Sequence, residues 1–364
     1  MRCFLEDSSH FTELTMAMLE YLTQEKVMVL CHKKFLETLY KSSGGLEVHL
    51  GMFDLRVPFM MDLEAEKAAM MMEGKETKRK KKKRQILQED YPFLAEVEYL
   101  KGKLEAVASE LNRYFPGEPT VQDFRENNKQ MREAVKDLFS NLSCIELPQK
   151  GGNAGLDALQ RGMLLLPPRC SFVTCDVAEL EEQVPGQVDV IVMDPPWGNR
   201  HVKRVRWSTG YTMMSDNDPC LASLPISTLL RVGGLVLAWC TNSPKHRATL
   251  HECFATWGVE EEATCYWLKL TRHGQLVANF SSGKQPYEVL VVGRRKEEKD
   301  MGEKSKAAEI RFPDGLVMIS VPSAVHSHKP PLTEVLVRLL CSSETEGKEE
   351  AMVGSLDKLE LFGR

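Results

Sequence analysis

From about residue 150 onward the chain alternates short apolar runs with stretches of helical character, and proline or glycine bounds most of them. Several runs carry apolar residues on both faces, so as strands they need cover on both sides. Helices that connect successive strands supply that cover in a mostly parallel sheet. The runs expected as strands are Ser171 to Thr174, Val188 to Met193, Gly234 to Cys240, Thr264 to Leu270, Tyr287 to Val292, Leu316 to Val321 and Leu359 to Phe362. Leu221 to Arg231, Lys245 to Trp257 and Pro331 to Leu340 carry the pattern of crossover helices. The expected fold class is therefore α/β. With 43% apolar residues in 364, the chain can bury a sizeable core, which excludes a disordered or fibrous chain.

The most informative run is Asp189-Val190-Ile191-Val192-Met193-Asp194-Pro195-Pro196-Trp197. An apolar strand delivers an acid to its carboxyl end, and two prolines stop the ladder because neither can donate an N–H. Sites in open α/β sheets lie just beyond the carboxyl ends of strands. The constellation suits a planar amine such as the exocyclic nitrogen of adenine, whose lone pair is delocalised into the ring. Hydrogen bonds from its two protons to the Asp194 carboxylate and the Pro195 carbonyl would favour the pyramidal nitrogen that attacks a sulfonium methyl. Pro196 fixes that carbonyl, and Trp197 offers a flat wall for an unpaired or flipped base. The chemistry needs no metal.

The segment that follows, Gly198 to Tyr211, holds five cations or potential cations and two aromatics within fourteen residues. Lys203, Arg204, Arg206 and Tyr211 are the candidate substrate contacts, by phosphate neutralisation and base stacking, and a solvated loop is the alternative. Trp239 and Trp267 fall in strand-like runs and are expected in the core. The cluster Gly151-Gly152-Asn153-Ala154-Gly155 fits neither phosphate-cradling motif and is expected to be a loop, which counts against kinase, ATPase and dehydrogenase readings. Ten scattered cysteines contain no C-x-x-C pair, and Cys170 with Cys175 has no second pair at zinc-site spacing. His201, His246, His251 and His273 form no metal spacing either, so thiols are expected reduced and no metal is expected.

Lys78 to Arg84 reads KRKKKKR, and without these seven cations the net charge of −5 would be −12. Such a run reads as an exposed nuclear address or a phosphate contact, with a solvated linker as the bland alternative. It divides the chain into a helical or mixed region over 1–74, a basic linker over 75–90, a helical arm over 91–150 and an α/β domain over 151–364. The first region carries an amphipathic helical start at Phe11, Leu14, Met18 and Leu22, and a methionine-rich stretch, Met70 to Met72. In the arm, Phe93, Val97, Leu100, Leu104, Val107 and Leu111 make one apolar seam for which packing within the chain is favoured over a dimer. A second helix is expected across Phe124 to Leu142, beyond Pro116-Gly117 and Pro119. No run of eighteen apolar residues occurs, and the start MRCFLEDSSHF lacks the pattern of a secretory signal, so neither a membrane span nor secretion is expected.

D-P-P-W, taken with Val325-His326-Ser327-His328-Lys329-Pro330-Pro331-Leu332 and with Leu359-Glu360-Leu361-Phe362-Gly363-Arg364, resembles the mRNA-type adenine-N6 methyltransferase family. Leu165-Leu166-Pro167-Pro168 ahead of Ser171-Phe172, Val202-Lys203-Arg204, and Lys284 with Pro286-Tyr287-Glu288 extend the likeness over residues 160 to 364. The resemblance implies a permuted Rossmann-like domain that binds S-adenosyl-L-methionine and methylates adenine N6. It implies that Asp194, Pro195, Pro196 and Trp197 hold the target amine. Asp176 and Val177 would meet the cofactor's adenine, Lys329 its carboxylate, and Arg364 would lie close by. The implied substrates are a 2′-O-methylated adenosine of a spliceosomal small nuclear RNA and DNA adenine. In the family the chain runs on past E-L-F-x-R to a G-N-[EQ] element at the cofactor's ribose; the sequence here stops at Arg364, and weakened cofactor binding is expected. Two other classes stay open: a non-catalytic nucleic-acid-binding or scaffold subunit of the same fold, and a methyltransferase for another planar amine such as glutamine or cytosine.

Overall fold

A computed structural model describes residues 2–4, 19–22, 26–39, 50–58, 93–116, 130, 133, 150–152, 170–173, 175–184, 186–198, 219–280, 285–296, 310–323, 328–342 and 357–362. Among them eleven strands form one mixed sheet. These are β1 (Arg2–Phe4), β2 (Leu19–Leu22), β3 (Val27–Leu30), β4 (Lys150–Gly152), β5 (Cys170–Val173), β6 (Val188–Asp194), β7 (Leu230–Cys240), β8 (Val259–Lys269), β9 (Tyr287–Arg295), β10 (Val317–Ser320) and β11 (Asp357–Phe362). Their order across the sheet is β2-β3-β10-β8-β9-β7-β6-β11-β1-β5-β4. The pairs β3–β10, β10–β8, β7–β6 and β6–β11 are parallel, while β9 runs antiparallel to both β8 and β7. The chain has the expected α/β, Rossmann-like fold.

Alternation along the central strands builds a core on each face of the sheet. Val188, Ile191 and Met193 of β6 join Val236, Ala238 and Cys240 of β7 in one cluster, and Val190 and Val192 join Leu235, Leu237 and Trp239 in the other. Trp239 and Trp267 are both buried, as their strand context suggested. The first face is covered by α2 (Leu94–Ala106), α3 (Ala108–Tyr114) and α7 (Pro244–Thr256), and the second by α8 (Leu332–Ser342). Proline at the first turn of α7 suits a position with no helical N–H partner, and Gly258, at φ 67°, turns the chain out of that helix into β8. Val97, Leu100, Val107 and Leu111 of the apolar seam are buried in the first core, and Tyr99 Oη donates to Gly315 O at 2.7 Å. The seam therefore packs against the chain's own sheet.

Several expectations need correction. The helix read over Leu221 to Arg231 is two short helices, α5 (Pro219–Ala222) and α6 (Ile226–Leu229), with β7 already begun at Leu230. Pro225 separates them because it lacks an N–H and restricts the residue before it. Strand β8 starts five residues ahead of Thr264, since Glu260 to Glu262 are held across the sheet by β9; Arg294 forks onto Glu262 with N–O distances of 2.5 and 3.0 Å. The helical start through Leu22 ends instead in strand β2, and Phe11, Leu14 and Met18 lie outside the described residues. Gly151 and Gly152 belong to edge strand β4 rather than to a loop. The stretch Met70 to Met72 and the basic run Lys78 to Arg84 lie outside the described residues, as does the second helix over 124–142 apart from helical residues Gln130 and Glu133. Among the described residues, no helix is long and apolar enough to cross a membrane and no cluster of metal-ligating side chains occurs.

Candidate active site

The parallel strands end along one edge of the sheet, and the side chains at those ends make the site. β6 delivers Asp194 there, and the backbone then closes a tight turn in which Trp197 N–H donates to Pro195 O at 2.8 Å. One lone pair of that carbonyl is thus engaged within the protein, and the second remains for a ligand donor. Trp197 is half-buried. Its Nε1–H donates to Trp239 O at 2.8 Å and its ring stacks on His246, with centroids 5.0 Å apart and planes 19° from parallel. Ser243 N–H donates to Thr241 Oγ1 at 3.2 Å, which directs the Thr241 hydroxyl to His246 Nδ1 at 2.5 Å. The turn after β7 thereby holds the ring that backs Trp197.

Asp194 does not stand alone. Lys329 Nζ lies 3.1 Å from Asp194 Oδ2 and 3.0 Å from Glu288 Oε2, and Lys269 Nζ pairs with Glu288 Oε1. Two carboxylates and two ammonium groups alternate along the edge in a mostly buried row, where charges are tolerated because each has an opposite partner. Burial raises the Asp194 carboxyl, and Lys329 offsets only part of that effect. Burial would also raise Glu288, but Lys269 and Lys329 together hold it at about 2. Burial would lower the Lys329 ammonium, and Glu288 and Asp194 overcome this and raise it. Aromatic faces support the cations: Lys269 Nζ sits 4.3 Å from the Trp267 ring centroid and Lys329 Nζ 5.9 Å from that of Trp239.

The structure therefore brings Asp194, Pro195, Pro196, Trp197 and Lys329 together. Asp176 and Val177 follow β5 at the same edge, just ahead of the short helix α4 (Leu180–Gln183) and three strands from β6 across β11 and β1, a separation of about 14 Å at ordinary strand spacing. Lys203, Arg204, Arg206, Tyr211 and Arg364 lie outside the described residues. Sequence reasoning assigned no role to Lys269, His246 or Thr241, and it quoted Glu288 only as part of a pattern. Lys269 was within reach, since it ends an apolar run just as Asp194 does. Glu288 sits near the start of its strand, and only the antiparallel placement of β9 carries it to the same edge. The row presents an acceptor for an amine at Asp194, a shielded aromatic beside it, and a cation, Lys329, whose three N–H groups are engaged among the described residues by two carboxylates.

Residues 188–364 match the sequence profile of the MT-A70 family. The chain is 40% identical to the N(6)-adenine-specific methyltransferase METTL4 of Mus musculus, over 57% of this chain and 44% of the relative. It is 37% identical to METTL4 of Homo sapiens, over 47% and 36%, and 33% identical to the DNA N6-methyl methyltransferase of Caenorhabditis elegans, over 47% and 44%. The chain spans less than half the length of these relatives.

Proposed function

We propose that the chain is a member of the MT-A70 family, whose profile residues 188–364 match, and that it transfers a methyl group from S-adenosyl-L-methionine to N6 of adenine in nucleic acid. The observation that carries the reading is Asp194, set at the carboxyl end of β6 and held by Lys329 beside Pro195, Pro196 and Trp197. The cofactor supplies an electrophilic methyl on a sulfonium. The residues present suit such a ligand: Lys329 would hold its carboxylate, and Asp176 and Val177 stand at the same edge. Asp194 accepts a hydrogen bond from one N–H of the target amine and Pro195 O accepts one from the other; as the methyl moves to nitrogen its bond to sulfur breaks, the neutral thioether leaves, and the product cation then sheds one proton. Together the two acceptors favour the pyramidal nitrogen and fix its direction of attack. Trp197, immobilised by Trp239 O and His246, walls the base in and keeps water from the amine.

Within that reading the substrate is a 2′-O-methylated adenosine of a spliceosomal small nuclear RNA, with DNA adenine as the second substrate. This rests on the family resemblance and on the cations Lys203, Arg204 and Arg206 with Tyr211 just after the site. The protein works as a monomer in the nucleus, addressed by Lys78 to Arg84; a fluorescent fusion that stays nuclear after those seven residues are neutralised would overturn the address. The function is tested with labelled cofactor on adenosine-containing RNA and DNA oligonucleotides, with the product base identified by mass spectrometry. N6-methyladenine is expected from the unaltered chain. Asp194→Ala should abolish transfer while leaving the fold and most nucleic-acid binding, and near-normal turnover by that variant sinks the mechanism. Nucleic-acid binding without transfer by the unaltered chain would favour a scaffold subunit.

A further inference from the structure

His32 precedes the family-matched stretch, yet it reaches the support of the site. It opens α1 (His32–Leu39) just past the end of β3. Because β3, β10 and β8 are successive parallel strands, His32, Ser320 and Lys269 lie along the same edge that carries Glu288 and Asp194. The His32 ring is buried, 5.6 Å from the Phe53 centroid and 5.9 Å from that of Trp267. Trp267 Nε1–H donates to Ser320 Oγ at 2.7 Å, and His32 Nε2 lies 3.0 Å from the same oxygen. With the indole proton on Ser320 Oγ, the hydroxyl proton is free to point at His32 Nε2, which makes His32 the acceptor. Burial keeps the ring neutral, with a pKa pulled to about 3, and His328 and Lys269 nearby act in the same sense. The oriented indole is the face on which Lys269 rests, and from Lys269 the row runs through Glu288 and Lys329 to Asp194.

We propose that His32 is a positioning residue for the methyl-transfer centre: by accepting from Ser320 it fixes the Trp267 ring, and so the place of Lys269 and of the Glu288–Lys329–Asp194 row. This rests on the methyl-transfer reading above. A leucine at position 32 would remove the acceptor, free the Ser320 hydroxyl to turn, and loosen the indole under Lys269. Small displacements at reacting groups are costly in rate, so His32→Leu should lower kcat about tenfold while KM for the nucleic acid changes less than about twofold. His32→Gln, whose carboxamide can accept from Ser320, should recover most of that loss.

Both variants are to be made in the full chain, with methyl transfer measured at saturating cofactor and the folded fraction measured by circular dichroism. Normal kcat per folded molecule in His32→Leu, or equal losses in the Leu and Gln variants, would overturn the proposal. A crystal structure of His32→Leu gives a reading independent of turnover: Lys269 displaced from Trp267 and Glu288 supports positioning, and Lys269 unmoved overturns it. If the unaltered chain transfers no methyl group, the proposed function fails, and the crystal structure still decides the role of His32. Should His32→Leu not fold, Ser320→Ala takes its place in both measurements, with the same two outcomes.

Discussion

Replacing Glu334 by glutamine should stabilise the folded chain at neutral and alkaline pH and remove a loss of stability that the unaltered protein suffers between pH 4.5 and about 8. Glu334 sits in the first turn of α8, only 4% exposed, and neither carboxyl oxygen has a hydrogen-bond partner among the described residues. Burial pushes its pKa from the ordinary 4.5 up to about 8, with Lys34 the opposing charge. Between those two values the folded state binds the proton and the unfolded state does not. The stability contributed by the neutral acid is therefore complete below pH 4.5 and lost as the pH rises through 8. Each tenfold change in proton affinity is worth about 1.4 kcal/mol, so the full loss is about 5 kcal/mol, and most of it accrues between pH 5 and 8.5. Glutamine keeps the shape and cannot ionise. Urea unfolding of both proteins at pH 5 and pH 8.5 measures the effect, and the variant's advantage should grow by about 4 kcal/mol between the two. An advantage that stays constant would refute the reasoning, because it would mean that Glu334 titrates in the fold as it does in water.

Glu288→Gln should lower methyl transfer strongly and flatten the acid limb of the stability curve. Lys269 and Lys329 hold the Glu288 carboxyl at about 2, so its contribution is present above pH 4.5 and disappears as the pH falls through 2, which acid titration by circular dichroism would follow. Glu96→Ala removes the carboxylate to which Arg247 donates through both terminal nitrogens and the Tyr287 hydroxyl at 3.2 Å. It should cost about 2–4 kcal/mol in urea unfolding, and Glu96→Gln should recover part of that by keeping an acceptor. Gly293→Ala places a Cβ 2.5 Å from Val259 Cγ1 and 2.6 Å from Phe254 Cε2, inside a filled core. A drop in stability of about 1–3 kcal/mol is expected, and an unchanged melting temperature would show that the ring and strand can move aside.

Much of the scaffold was legible along the chain because it depends on local patterns. Runs apolar on both faces marked the central strands, and a run ended by an acid and two prolines marked Asp194 as a candidate site residue before any contact was known. The seam from Phe93 to Leu111 identified its own buried face. Local patterns failed where a partner elsewhere decides: Glu260 to Glu262 look unlike a strand until β9 places Arg294 against them, and the helical spacing up to Leu22 gave way to pairing with β3. Pro225 was a local signal that should have divided the helix over Leu221 to Arg231.

The linear order of residues determined that this is an α/β chain with an acid-proline-proline-tryptophan motif at a strand end, since hydrophobic period, proline and motif spacing are properties of neighbours along the backbone. Only the tertiary structure decided what surrounds that motif. Glu288 comes 94 positions after Asp194 and His32 precedes it by 162, and no spacing rule relates them. They share one edge because β9 runs antiparallel between β8 and β7, and because β3 pairs with β10. Strand order is fixed by which faces can bury one another. The charges then settle where each finds its opposite in a medium too poor in water to leave any of them alone.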